Sequence, residues 1–451
     1  MRVCDLTIFY HQQSGGVRTY IHEKICYLAR HRNGNSHLVI VPGEKDLELR
    51  RQHSRIQFLK GPVVPFARPY RVILQLVKAY RLVLSFQPDV IEVGCPYIFP
   101  WLAFLVRWRI RRSDAGQSSA GAVGKSGQGV HPGCRVVGFY HSDFPSAYLR
   151  LHNKLLGEIV EILLRQLAFR YIRLVYRRMD LTIAPSPAIA AFLSSYGIER
   201  VETIPLGVDT VKFHPQHRQP WVRNRLGLCE GQLLLLFVGR FSQEKGLTYL
   251  FRSFELLSRQ EPGRFHLLFV GAGPLGPELQ SWSAARSDVT VWNYLQGQAL
   301  AEVYASADIF VSPGTAETFG LTLLEAQASG LPVIAGSSGA APEVVAPAAG
   351  ALIDPRNAEL MAAAVSLMAR QDLRALGWKA RRFVEERYSW NCTFDRLFRA
   401  YEQLSTQGEV NQNGRKGSGN NSRKTVPHQA FQPGGPPCGK RDLRRHRAAG
   451  Q

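Results

Sequence analysis

From residue 233 onward the chain alternates short apolar runs with amphipathic stretches. The order is LLLLFVGR, a helical pattern over 247–259, FHLLFVG, VTVWNY, DIFVSP, a helical pattern over 322–329, PVIAG, and a helical pattern over 359–368. Unbroken apolar runs of four to eight residues suit strands buried on both faces, and such strands separated by helices build a parallel sheet covered on both sides. The N-terminal half begins the same way, with a strand pattern over 3–10, a Gly15-Gly16 turn, a helical pattern over 17–29 and a strand over 37–41. Further strands are expected over 90–93, 135–140 and 181–184. The fold class is therefore α/β, with two Rossmann-like, doubly wound domains. Open sheets of this type bind ligands beyond the carboxyl ends of their strands, so two facing halves would leave a binding cleft.

At 451 residues and 45% hydrophobic, the chain has enough apolar surface for two separate cores. The first domain is expected over 1–205, interrupted by a Gly/Ser/Ala-rich flexible loop over 113–133, and the second over 206–380. A helical segment over 381–404 should pack back towards the first domain, and the polar, basic remainder over 405–451 should be a disordered tail. The formal net charge of +21 favours anionic partners. Seven cysteines without CxxC or CxxH spacing, and an N-terminal region without the pattern of a secretory signal, predict reduced thiols and a cytoplasmic setting. The longest apolar stretch, over 97–106, is half of what a bilayer crossing needs, and Arg107 closes it.

Two segments carry the chemistry. Residues 239–246 read GRFSQEKG between a strand and a helix, which puts Arg240 and Lys245 in a strand-to-helix loop. A diphosphate there would meet two cations, each close pair worth roughly 4 kcal/mol at an effective dielectric of 20 before desolvation. Residues 312–336 read SPGTAETFGLTLLEAQASGLPVIAG. Glu317 falls in a loop and Glu325 on the first turns of the following helix, where both carboxylates could accept hydrogen bonds from sugar and ribose hydroxyls. The backbone of Thr318, Phe319 and Gly320 lies at the helix N-terminus, whose N–H groups favour an anion.

ETFGLTLLEAQASGLPVIA closely resembles the signature of glycosyltransferase family 4, whose members have the GT-B architecture of two Rossmann-like domains. GRFSQEKG, VGAGPLGPEL, TIPLGVDTVKFHP, the N-terminal SGGVRTY and FYHSDFP, and the final RRFVEERYSWNCTFDRLFRAYEQL fall in the family's order, so the resemblance spans nearly all of residues 1–404. It implies a retaining hexosyltransferase of mannosyl or glucosyl type using a nucleotide-diphosphate sugar. Arg240 and Lys245 would grip the diphosphate, Glu325 the ribose, and Glu317 with the Phe319-Gly320 backbone the transferred sugar. It further implies that Gly16 approaches the diphosphate and His141 the sugar from the N-terminal side. Without the resemblance, His141 reads as a structural histidine at a strand end.

Other motifs are weaker. Residues 271–276, GAGPLG, fit a dinucleotide fingerprint, but no acidic residue ends the next strand. The GKS at 124–126 lacks the first glycine of a phosphate loop. There is no Asp-x-Asp pair, so no metal and no other cofactor is expected.

The implied partners are the donor and a hydroxyl acceptor, either a glycan or a lipid-linked molecule; no nucleic-acid module is present. Arg107, Arg109, Arg111 and Arg112 follow an aromatic apolar stretch, and residues 149–178 mix Leu, Ile and Tyr with Arg at helical spacing. Peripheral contact with an anionic membrane is one reading of this pattern, and a buried helix with a solvated face is the other. An epimerase or phosphorylase on the same architecture, and a non-catalytic basic binding protein, are the rival function classes.

Overall fold

The computed structural model describes residues 1–10, 16–31, 34–64, 70–119, 133–141, 158–315, 317 and 319–414. The described chain divides into two compact units, Met1–Ile204 joined by residues 394–414, and Pro205–Thr393.

The first unit runs β1 (Arg2–Leu6), α1 (Gly16–His31), β2 (Ser36–Gly43), β3 (Leu47–Arg51), β4 (Ser54–Lys60), α2 (Leu76–Phe86), β5 (Val90–Val93), α3 (Phe99–Ser119), β6 (Arg135–Phe139), α4 (Glu158–Tyr176), β7 (Leu181–Ala184), α5 (Pro187–Ser195) and β8 (Val201–Thr203). Its sheet has the order β3-β4-β2-β1-β5-β6-β7-β8, parallel except for the antiparallel β3–β4 pair. The central strands read as apolar runs because helices cover both faces; Val90, Ile91 and Val93 are all fully buried. Two expectations need correction. Residues 113–119 are the last turns of α3 and not a loop, while the rest of the Gly/Ser/Ala-rich stretch, from 120 to 132, lies outside the described residues. The strand pattern over 3–10 stops at Leu6.

The second unit runs α6 (Pro220–Arg225), β9 (Leu233–Arg240), α7 (Leu247–Gln260), β10 (Phe265–Ala272), α8 (Gly276–Ala284), β11 (Val289–Trp292), α9 (Gly297–Ser306), β12 (Ile309–Ser312), α10 (Leu321–Ala328), β13 (Val333–Gly336), α11 (Ala341–Val344), β14 (Gly350–Ile353), α12 (Ala358–Met368) and α13 (Leu373–Arg387). The sheet order β11-β10-β9-β12-β13-β14, with every pairing parallel, is the Rossmann order 3-2-1-4-5-6. Helix α7 buries Leu247, Leu250, Phe251, Phe254 and Leu257, a stripe at three- and four-residue spacing against the sheet. Asn357 and Asp372 cap α12 and α13 by accepting from Leu360 N and Ala375 N.

A last helix, α14 (Trp390–Gly414), leaves the second unit and continues in the first from Phe394. Residues 405–414, expected in a disordered tail, are helical; residues 415–451 lie outside the described residues. In the first unit α14 meets α1 through the Tyr27 and Phe398 rings, stacked 5.7 Å apart. Beside them Lys24, fully buried, bonds Asp5 Oδ1 at 2.8 Å, Glu92 Oε2 at 3.1 Å and the Tyr401 hydroxyl at 3.3 Å. Tyr20 and Tyr401 both donate to Glu92 Oε2. Every charge in this cluster has a partner, as burial at this depth demands.

Candidate active site

In the second unit β9 and β12 are neighbours, yet the chain winds outward from them in opposite directions, β9 to β10 and β12 to β13. The connections leaving their carboxyl ends therefore diverge, and the loops there, 241–246 and 313–320, frame the crevice where doubly wound sheets bind ligands. The loops are fastened together: Thr315 donates to Glu244 O through both its backbone N, at 2.9 Å, and its hydroxyl, at 3.2 Å. Gly246 holds the turn into α7 with φ +68°, and a Cβ there would lie 2.2 Å from Pro313 O, so a side chain at this position would push the loops apart.

Lys245 and Glu317, 72 residues apart in sequence, form a 2.6 Å ion pair between these loops. Burial disfavours the Lys245 ammonium, but the charge and hydrogen bond of Glu317, with the charge of Glu244, together outweigh it and hold the pKa above the usual lysine value. Lysine has three donors, so the ammonium can keep Glu317 and still offer protons to a phosphate. Arg240, at the end of β9, is exposed and makes no side-chain hydrogen bond or ion pair to a described residue. The Glu317 backbone is fixed by Ala340 N, which donates to its carbonyl at 2.9 Å.

Phe319 is buried, its ring edge-on to Tyr388 with centroids 6.2 Å apart, which leaves its backbone at the mouth of α10. Gly320 caps that helix with φ +85°. Thr318 lies outside the described residues. Glu325 stands on the second turn of α10 and accepts a 2.9 Å hydrogen bond from the Tyr304 hydroxyl of α9. Burial pushes its pKa up to about 7, against the smaller opposing pulls of Tyr304 and Lys212.

In the first unit, Gly16 is the first residue of α1, which follows β1, and His141 follows β6. The His141 ring stacks flat on Phe139 at 4.1 Å and meets the edge of Tyr20 at 5.1 Å. Burial lowers its pKa to about 3, so the imidazole is neutral at physiological pH. It can exchange hydrogen bonds there but cannot neutralise a phosphate.

Sequence reasoning named Lys245 and Glu317 for separate tasks and missed that they pair. It also missed Tyr304, whose signal was a tyrosine on the apolar side of a helix, a position where the hydroxyl needs a partner. Two glycines of the dinucleotide-like 271–276 serve close packing: a Cβ on Gly271 would lie 1.9 Å from Gly239 O, and one on Gly273 would come within 2.4–2.8 Å of the Phe241 backbone. Among the described residues no group of three or more His, Cys, Asp or Glu could hold a metal ion.

The model of Glycosyltransferase Family 4 matches residues 14–212, and that of Glycosyl transferases group 1 matches residues 232–371. The chain belongs to the group 1, family 4 glycosyltransferases. This glycosyltransferase is 32% identical to the sulfoquinovosyl transferase of Arabidopsis thaliana over 50% of its own length and 45% of the relative's. It is 27% identical to a GDP-mannose-dependent alpha-mannosyltransferase of Mycobacterium tuberculosis over 90% of its own length and 97% of the relative's. Four relatives, this Arabidopsis protein among them, are matched over only 45–66% of their length. Among solved structures it is similar to the sucrose-phosphate synthase of Thermosynechococcus elongatus, with a TM-score of 0.67 and 20% identity, over 90% of the chain and 99% of that structure. That likeness shows the GT-B fold.

Proposed function

We propose that this family 4 glycosyltransferase moves a hexose from a nucleotide-diphosphate sugar to a hydroxyl of a glycan or lipid-linked acceptor, with retention at the anomeric carbon. The observation that carries this reading is the Lys245–Glu317 pair, set beyond the carboxyl ends of β9 and β12, with Arg240 exposed at the end of β9. Arg240 and Lys245 take the diphosphate, whose charge grows as the anomeric C–O bond breaks, and the N-terminus of α10 adds its dipole. Glu325 takes the ribose hydroxyls, and Glu317 with the Phe319-Gly320 backbone takes the sugar. The roles of Gly16 towards the diphosphate and His141 towards the sugar rest on the family resemblance. A front-face route suits this set of residues. The anomeric bond to the diphosphate breaks, the acceptor oxygen bonds the same face of the carbon, and its proton passes to a leaving phosphate oxygen, so no protein base is required. Transfer on this scheme needs no metal.

The test is a thermal-shift screen against UDP, GDP, ADP and their sugar conjugates, because a ligand selective for the native state raises its melting temperature. GDP-mannose comes first, from the name of the mycobacterial relative. Stabilisation by one nucleotide family, followed by EDTA-resistant transfer with the anomeric configuration read by NMR, supports the proposal. No shift with any nucleotide, or inversion, overturns it.

A further inference from the structure

We infer that the outer face of α3 and α4 in the first unit is a docking surface for an anionic lipid bilayer, which would bring the enzyme to a lipid-linked acceptor. The proposal is carried by the first unit alone and does not depend on the donor site of the second.

On α3 the side chains turned outward recur at heptad-like spacing: Trp101, Leu105 and Trp108 are 39%, 51% and 53% exposed, and Arg112 continues the line. The inner line of the same helix, Leu102, Ala103 and Val106, is buried in the core. Helix α4 repeats the arrangement with Leu163, Leu167 and Leu174 at 53%, 58% and 44% exposed, while Ile172 and Val175 face inward. Large apolar side chains normally take the buried side of a helix; here two helices carry a second apolar stripe to the solvent.

The two stripes meet. Trp101 Nε1 donates to the Tyr171 hydroxyl of α4 at 3.1 Å, and the Arg178 guanidinium sits 6.0 Å from the centre of the Trp101 ring. Arg107 ties the base of the face to Asp180 at 2.9 Å.

The charge around the stripes selects the occupant. Residues 99–119 and 158–178 contain nine arginines against three acidic residues, Asp114, Glu158 and Glu161. Arg109, Arg112, Arg170, Arg177 and Arg178 are exposed, and Arg112 lies over the Trp108 ring at 5.2 Å. A second copy of the same face would bring arginine against arginine. Tryptophan and leucine framed by arginine fit the boundary between acyl chains and anionic headgroups, where the indole, the methyl groups and the guanidinium each find their own layer. Among the described residues no helix is long and apolar enough to cross a membrane, so the contact is one of lying on the surface.

The experiment is vesicle flotation of the full chain with phosphatidylcholine alone and with phosphatidylcholine plus phosphatidylglycerol, with sedimentation velocity as a check on self-association. The wild type should float with the anionic vesicles only, and brominated lipid should quench its tryptophan emission. Removing an arginine should weaken partitioning about fivefold, so Arg109→Gln with Arg112→Gln should weaken it on the order of 25-fold. The triple variant Leu105→Gln, Trp108→Gln, Leu167→Gln leaves the charge unchanged. It should lose at least tenfold in partitioning while its melting temperature and nucleotide-induced shift stay as in the wild type. A triple variant that floats as well as the wild type overturns the proposal, because basic residues elsewhere then carry the binding. So does a wild type that ignores vesicles but self-associates through a contact the triple variant abolishes. The nucleotide shift reports on the donor site separately, so failure of either reading is seen without the other.

Discussion

The Tyr304 hydroxyl and the Glu325 carboxylate, on successive helices of the second unit, share a 2.9 Å hydrogen bond that aims the carboxylate proposed to hold the ribose. Tyr304→Phe keeps the ring packing and removes that donor. Since the bond favours the ionised carboxylate, its loss raises the Glu325 pKa further above about 7. The donor KM should rise about tenfold or more near neutral pH, from a lost hydrogen bond to a charged group worth roughly 1.5–3 kcal/mol, and recover at alkaline pH. A pH profile of KM checks this; an unshifted profile would remove Tyr304 from the site.

Glu325 itself opposes stability. Its folded-state pKa lies above the unfolded value, so between about 4.5 and 7 the folded protein binds the extra proton and stability falls as pH rises. Glu325→Gln removes that penalty above pH 7 and should raise Tm by roughly 2–4 °C at pH 8. At pH 4.5 the gain should vanish. Donor-induced stabilisation should be lost at both values, in keeping with a site that holds function at the expense of stability. Calorimetry with and without nucleotide measures both effects.

Lys245→Ala removes the cation proposed for the leaving diphosphate and leaves Glu317 without its partner. We expect kcat/KM to fall about 10²–10³-fold, the range for losing one preorganised donor to developing negative charge. Circular dichroism should show the fold retained. Wild-type donor affinity in folded Lys245→Ala would sink the assignment.

Lys24→Met takes the cation from Glu92 and leaves Asp5 with His37, whose Nε2 lies 3.0 Å from Asp5 Oδ2, in the core of the first unit. Breaking a buried ion pair from one side costs about 3–5 kcal/mol, visible in urea denaturation at pH 8. Burial already raises the Glu92 pKa, and without Lys24 it rises further, so the deficit should shrink as pH falls towards 5. A deficit constant with pH would mean that the loss is one of packing alone.

What could be read from residues and what could not follows from burial. β9 and β10 announce themselves as LLLLFV and FHLLFV because a parallel strand covered on both faces has no polar side. β3, reading LELRR with every residue exposed, sits at the sheet edge and carries no such pattern, so it was not expected. The turns 113–119 read as a loop from their Gly and Ser content, but they extend a helix already nucleated upstream, where adding a residue is far easier than starting afresh. Arg240, Lys245, Glu317 and Glu325 stood out by type and local spacing. The Lys245–Glu317 and Tyr304–Glu325 pairings did not, since each joins elements that only the tertiary fold brings together.

The cluster around Lys24 has a consequence for biosynthesis. Its last partner, Tyr401, is 377 residues further along the chain. At roughly 5–20 residues per second, about 20–75 s pass between the translation of the two. All through that interval the sheet of the first unit can form, but the groove that takes α14 stays open and the Lys24 ammonium keeps access to water. The strands translated first thus belong to the unit that closes last.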